Sequence, residues 1–209
     1  MNLDQALEKI HWLGHDAFRV DGTKIIYFDP YEISGGPPAD VIFISHEHFD
    51  HCSPTDVAKI QKAGTVIVTD SASAKKLSGD VRVVKPGDRV EIDGVVVQVV
   101  PAYNVNKKFH PKGAGMLAFV VTLDGVTYYH AGDTDFIPEM KDLQVDVAFL
   151  PVSGTYVMDA AEAVEAAKAI APKVAIPMHY GAIVGSADDA RRFQKALEGV
   201  VRVVILNKE

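Results

Sequence analysis

Three histidines and an aspartate fall within six positions of the segment Ser45-His46-Glu47-His48-Phe49-Asp50-His51. Imidazole and carboxylate are good ligands for zinc and related dications. The apolar run Val41–Ile44 precedes the cluster and reads as a buried strand, so the polar groups begin where the strand ends, the usual location of functional groups in layered folds of strands and helices. His46 and His48 are suited to one metal ion, and Asp50 with His51 to a neighbouring one. A polar loop with satisfied histidines is the simpler alternative. It is disfavoured because four such groups crowded at a strand end would desolvate one another without a shared cation.

Two later strand ends carry the same kinds of side chain. His130 and Asp133 follow the run Val126–Tyr129, and His179 ends the run Val174–Met178. Asp133 is small and anionic and is placed to bridge two dications, unless it is an ordinary turn aspartate. His179 alone would more often be a packed core histidine. Three strand ends converging on metal-type side chains are more specific than any one of them.

The elements that must position these groups follow from local pattern. Short β-type runs bounded by turn residues dominate the first half, at 9–14, 17–20, 24–29, 40–45, 65–70 and 81–85. Asp21-Gly22, Asp93-Gly94 and Asp124-Gly125 each separate two such runs, a strong hairpin signal. Helical patterns are expected over 55–63 after Pro54, over 71–77, and over 159–171 and 186–199. The last two carry Asp159 and Ser186 as N-caps and Pro172 and Gly199 as terminators. In the second half strands and helices alternate, with runs at 115–123, 126–132, 146–154, 173–181 and 201–207. No linker separates two independent cores, so one domain over 1–209 is expected. Two sheets packed face to face with helices outside would serve both halves. The polar, glycine-bearing segment 104–115 is the expected flexible loop over a site.

Composition narrows the partners. The 209 residues are 48% apolar and carry a formal charge of −7, from 21 basic and 28 acidic side chains. Such a surface repels polyphosphate, so no nucleic-acid partner is expected. Neither a signal-type leader nor an apolar run of membrane-spanning length is visible, and the cytoplasm is the default location. Cys52 is the single cysteine, which rules out an internal disulfide framework and a cysteine-rich zinc site. It reads as a small packing residue.

With these residues in view, the chain resembles the metallo-β-lactamase fold superfamily over nearly its whole length. Segment 45–51 matches the His-x-His-x-Asp-His signature, Ala131–Thr134 the bridging-aspartate motif, and Met178–Gly181 the last metal histidine. Leu13–Val20 and Ile25–Tyr31 look like the branch that includes ascorbate-phosphate lactonase and many uncharacterised metal-dependent hydrolases. The resemblance implies an α+β fold, a four-layer αββα sandwich, with two divalent metal ions at one edge, zinc first and manganese or iron as alternatives. It also implies near-site roles for His15, Asp29 and His130.

The family usually supplies one more metal histidine at the end of the strand before the bridging aspartate. Here Tyr103 and Asn104 stand in that place. His110 folding back is the preferred replacement, with Asn104 or no protein ligand as alternatives. The expected metal set is therefore His46, His48, Asp50, His51, His110, Asp133 and His179, with Asp50, Asp133 and His130 taken as catalytic. His48 stands where oxygen-reducing diiron relatives would have a glutamate, so hydrolysis is favoured over redox chemistry. Two dications roughly 3.5–4 Å apart lower the pKa of a bridging water towards ~7 and polarise the bond under attack.

The expected function is a metal-dependent hydrolase using a metal-bound hydroxide on a small ester, lactone or phosphoester. A nuclease or phosphodiesterase of the same fold is one alternative, and a non-catalytic metal- or ligand-binding module another. The partner is a small-molecule substrate, anionic if Lys107, Lys108 and Lys112 form a patch rather than a solvated face. A homo-oligomer is open.

Overall fold

The computed structural model describes residues 2–209. Its first sheet takes the strands in chain order: β1 (Ile10–Gly14), β2 (Ala17–Asp21), β3 (Ile25–Phe28), β4 (Val41–Ile44), β5 (Val66–Thr69) and β6 (Asp80–Val83). The first three strands pair antiparallel and the rest parallel. The second sheet contains β7 (Arg89–Ile92), β8 (Val95–Pro101), β9 (Leu117–Leu123), β10 (Val126–His130), β11 (Val147–Pro151), β12 (Val174–Met178) and β13 (Arg202–Val203). It repeats the plan, antiparallel from β7 to β10 and parallel from β10 to β13.

Turn chemistry sets the hairpins. Asp93 and Asp124 have φ of 47° and 52°, and each is followed by a glycine with positive φ. Positive φ at both central residues is the two-residue hairpin whose twist matches the flanking strands. At Asp21-Gly22 the connection is one residue longer, with the Gly22 amide donating to the Lys24 carbonyl at 3.1 Å.

Three of the parallel connections are crossovers through an α-helix. Helix α2 (Pro54–Ile60) links β4 to β5, α3 (Ala160–Ile170) links β11 to β12, and α4 (Ala187–Ala196) links β12 to β13. Asp159 caps α3, accepting from the Glu162 amide at 2.8 Å while Glu162 Oε2 accepts from the Asp159 amide at 3.0 Å. The helix stops where Ala171 turns left-handed, φ 49°, just before Pro172. Its Ala163, Ala167 and Ile170 are buried against the second sheet.

Strand β4 shows why the layers stack. Val41 and Phe43 join the core between the sheets, whereas Ile42 and Ile44 pack with Val57 and Ile60 of α2. Successive strand side chains point to opposite faces, so a strand apolar throughout must be covered on both. Between the sheets Phe18 and Phe149 meet at 4.3 Å between ring centres, and Phe43 and Phe119 at 5.2 Å. Fully burying each phenyl contributes about 1.5–3 kcal/mol. The fold is thus the expected αββα sandwich.

Three elements differ from local pattern. A short helix, α1 (Leu3–Leu7), precedes β1, capped by Asn2. Residues 71–77 form only a 3-10 turn, Ser73–Lys76, because Asp70 Oδ1 accepts the Ala72 and Ser73 amides at 2.6 and 3.2 Å and tightens the entry. The run 201–207 contributes only Arg202–Val203 to the second sheet. The chain then crosses to the first, where Lys208 pairs with Trp12 and the Glu209 amide donates to the Trp12 carbonyl at 3.0 Å. The Lys208 stem passes over Gly14, φ 107°, where a Cβ would lie 2.8 Å from Lys208 Cε.

Candidate metal centre

The carboxyl ends of β3, β4, β10, β11 and β12 and the β1–β2 turn share one edge of the sandwich. Asp29, just past β3, organises the segment after β4. Its carboxylate accepts from the Ser45 amide at 2.7 Å, from Ser45 Oγ at 2.6 Å and from His51 Nδ1 at 2.8 Å. That last bond holds the proton on Nδ1 of His51 and turns Nε2 inward, the usual outer partnership of a metal-binding imidazole. Ser45 Oγ also lies 2.9 Å from His46 Nδ1, so the far nitrogen of His46 is occupied as well.

Asp133 stands at the centre. Its Oδ2 lies 3.2 Å from His110 Nε2 and 4.0 Å from His46 Nε2. Its Oδ1 lies 3.3 Å from His51 Nε2 and 3.2 Å from His179 Nε2. His179, φ 60°, has its outer Nδ1 at 2.8 Å from Ser153 Oγ. His15, φ 50° in the β1–β2 turn, brings Nε2 to 3.2 Å from Asp50 Oδ2.

His110 arrives from segment 104–115 by another route. Asn104 brackets it, accepting its amide on Oδ1 at 2.9 Å and donating its own amide to the His110 carbonyl at 2.7 Å. Asn104 Nδ2 donates to Asp135 Oδ1 at 3.1 Å and to the Tyr156 carbonyl at 2.9 Å. The buried Asp135 accepts as well from the Val105 amide at 2.8 Å and from Lys107 Nζ at 2.7 Å. The Asn104 side chain is therefore spent on holding the loop, and His110 stands beside Asp133 in its place. Lys107 and Lys112 are held by carboxylates, Lys107 by Asp135 and Glu162, Lys112 by Glu139.

Electrostatics divide the imidazoles. Burial pushes His46 well below the ordinary histidine range, helped by His51. Burial acts the same way on His51, but Asp133 and Asp29 outweigh it and raise that ring well above the ordinary range. Against burial, Asp133 and Asp16 lift His179 to about 9. Burial would raise Asp133, yet His179 and His51 hold its carboxyl well below the usual carboxylate range. The two raised rings are those that face Asp133, so the buried carboxylate and its neighbouring imidazoles hold one another in their charged forms.

Three buried atoms that face that middle, His51 Nε2, His179 Nε2 and Asp133 Oδ1, have no hydrogen-bond partner. Buried polar atoms are rarely left so. Two donor groups surround the gap, His46, His48, His110 and Asp133 on one side, and His15, Asp50, His51 and His179 on the other. A third grouping joins Asp16 to His51, Asp133 and His179. In each, the donor atoms lie within 4.8 Å of one another. Imidazoles whose outer nitrogens are held by Ser45, Asp29, Tyr156 and Ser153, two of them with an unpartnered inner nitrogen, and a carboxylate between them fit divalent cations. A cavity of about 290 Å³ opens onto His48, Asp50, His110 and Asp133.

Every expected ligand, His46, His48, Asp50, His51, His110, Asp133 and His179, is thus brought to one place. His130 is not. It stacks flat on Phe28 at 4.9 Å, inside the core, with Nε2 at 2.9 Å from the Asp16 carbonyl. Tyr180 stacks on Trp12 at 4.9 Å, away from the cavity. Cys52 is buried, and burial pushes its thiol up to about 11. The sequence reading missed Asp16, fully buried with neither oxygen hydrogen-bonded, and the outer partners Ser45, Ser153 and Asp135. Asp16 directly follows His15, and Asp135 stands two places after Asp133; that spacing was the only local signal.

Comparison with known proteins gives the family and agrees with the fold. Residues 9–179 match the family described as the β-lactamase superfamily domain. A metal-dependent hydrolase of Pyrococcus abyssi is 33% identical, the alignment covering 95% of this chain and 96% of that one. A Parabacteroides distasonis protein whose crystal structure is named as that of a metal-dependent hydrolase shares 35% identity over 94% of this chain and 91% of its own, with a TM-score of 0.85. A Thermotoga maritima protein, named as a Zn-dependent hydrolase of the metallo-β-lactamase superfamily, shares 25% identity over 94% and 96%, with a TM-score of 0.65.

Proposed function

This chain belongs to the metallo-β-lactamase superfamily, and on that premise we propose that it is a metal-dependent hydrolase with two metal positions, acting on a small ester, lactone or phosphoester. The observation that carries the reading is Asp133, whose Oδ2 lies 3.2 Å from His110 Nε2 and whose Oδ1 lies 3.2 Å from His179 Nε2. One carboxylate facing two imidazole groups with different oxygens is the arrangement a bridging ligand needs.

In this reading His46, His48 and His110 with Asp133 hold one cation, and Asp50, His51 and His179 with Asp133 hold the other. Zinc suits the donor set, and manganese or iron are compatible with it. Such a pair supplies an activated water near neutral pH and Lewis-acid polarisation of the bond under attack.

The chain's own groups do the rest. Asp50 has a side chain 14% exposed and so reaches the cavity, and His15 steadies it through Nε2. Burial opposes ionisation of Asp50, yet the His15 hydrogen bond and the neighbouring His51 leave its pKa lowered, so it is a carboxylate at neutral pH. A carboxylate there can accept a proton from the attacking water. His130 acts at a remove, holding the Asp16 carbonyl beneath the turn that carries His15.

The test is metal stoichiometry followed by turnover. Zinc- or manganese-loaded protein is expected to hold about two ions per chain and to hydrolyse members of a panel of lactones, aryl esters and phosphodiesters. Asp133→Asn should abolish both properties. Less than about one ion per chain after loading, or activity that survives Asp133→Asn, would overturn the reading.

A further inference from the structure

Among the described residues six large apolar side chains are exposed, and three of them, Phe49, Phe109 and Ile183, are 66%, 52% and 42% exposed. They come from three separate segments, after β4, in 104–115 and after β12. All three nevertheless line the cavity that opens onto the metal donors, joined there by Tyr156. Scattered single exposed hydrophobics need no explanation, but a convergent set at a reactive cleft does.

The rings are braced rather than loose. Phe109 meets Tyr156 edge-on, with ring centres 4.7 Å apart at 88°, and Phe49 meets Tyr31 at 5.8 Å and 78°. The Tyr156 carbonyl lies 3.3 Å from His110 Nδ1, so the apolar wall and a metal-facing imidazole share one support. Ile183 sits on a short loop that closes where the Gly181 amide donates to the Gly185 carbonyl at 3.4 Å.

Charge argues the same way. No lysine or arginine lines the cavity among the described residues. Lys107 Nζ is held at 2.7 Å by Asp135 Oδ1 and at 3.2 Å by Glu162 Oε2. Lys112 Nζ is held at 3.0 Å by Tyr103 Oη and at 3.1 Å by Glu139 Oε1. An anionic substituent would meet Asp50 and aromatic faces there, with no lysine or arginine in the lining to pair with.

We propose that the substrate carries an uncharged aromatic or aliphatic group next to the bond that is cut, and that Phe49, Phe109, Tyr156 and Ile183 hold it. The proposal rests on the hydrolase reading and adds the substrate's chemical class to it. The cavity, about 290 Å³, suits a small-molecule substituent.

The test reads binding rather than turnover. The zinc-loaded protein is titrated calorimetrically with acetohydroxamate, phenylacetohydroxamate and 3-carboxypropanohydroxamate, which share a metal-binding head. Phenylacetohydroxamate should bind about tenfold or more tightly than acetohydroxamate, as expected for burying apolar surface. The carboxylated probe should bind no more tightly than acetohydroxamate. The exposed-site double variant Phe49→Ala/Phe109→Ala should shrink the phenyl preference to within about threefold.

Equal binding of the phenyl and methyl probes, or tighter binding of the carboxylated one, overturns the proposal. So does a wild-type dimer that the double variant converts to monomers with no phenyl preference in either, which would assign the face to a second copy of the chain. Failure of the hydrolase reading looks different, because it is absence of turnover across the ester and lactone panel while the hydroxamate preference persists.

Discussion

Two of the segments that carry histidines to the centre are each organised by a buried carboxylate, by a different route. In segment 45–51, Asp29 binds a metal-facing imidazole directly, through His51 Nδ1 at 2.8 Å. In segment 104–110, Asp135 makes no bond to His110 and acts through Asn104, which brackets the His110 backbone. The first arrangement fixes ring orientation and proton position together. The second fixes where the backbone lies and leaves the ring to the Tyr156 carbonyl at 3.3 Å. Direct and indirect support should therefore fail to different degrees.

The largest effect is expected at the residue both segments converge on. Asp133→Asn removes the one carboxylate that faces both donor groups, and zinc affinity measured against a competing chelator should fall more than about 100-fold at both positions, beyond the range for an outer partner. Retention of one tight site would show that the two groups do not share Asp133.

Next in size is Asp29→Asn. It leaves a poorer acceptor for Ser45 and His51, and zinc affinity should fall about 10–100-fold. Removing a buried, multiply bonded charge should also cost about 3 kcal/mol in urea unfolding of the metal-free protein. Asp135→Asn should be milder, weakening only the His110-bearing position by about tenfold or less and speeding proteolysis within 104–115. If Asp135→Asn proves as damaging as Asp29→Asn, the distinction between direct and indirect support collapses.

The smallest effect lies where segment 45–51 runs into α2. Asp56 accepts from Ser53 Oγ at 2.6 Å, from Lys59 Nζ at 2.8 Å and from the Glu32 amide at 3.0 Å. Burial opposes ionisation of Asp56, but the hydrogen bonds from Lys59 and Ser53 win and lower its pKa. A carboxylate with a lowered folded pKa stabilises above its unfolded value, about 3.9, and the contribution is lost as pH falls through the folded value. Asp56→Asn should thus cost about 1–2 kcal/mol at pH 7 and progressively less below pH ~4. Urea midpoints across pH would reveal a constant deficit if the carboxylate charge were irrelevant.

Much of the fold was legible because it rests on local signals. Asp93-Gly94 and Asp124-Gly125 adopt positive φ at both residues, as tight hairpins require. Asp159 and Ser186 cap α3 and α4 as their positions ahead of periodic apolar residues indicate. The departures arise where a distant partner outcompetes local preference. Val204 still donates to the Ala175 carbonyl, but beyond it the run leaves the second sheet, and Lys208 and Glu209 join Trp12 in the first. His130 sits at a strand end like the metal-facing groups, but Phe28 and the Asp16 carbonyl hold it in the core.

The amino-acid sequence by itself determined which donors exist and where they lie along the chain. Strands end where apolar periodicity ends, and His46, His51, Asp133 and His179 stand at or just after those ends. Tertiary structure alone decided which nitrogen of each ring faces inward, that His110 takes the place beside Asp133, and that Phe49, Phe109 and Ile183 gather at one mouth. A ring's orientation is set by its outer partner, and Asp29, Ser153 and Tyr156 reach their histidines only once strands distant along the chain have paired and the loops beyond them have folded.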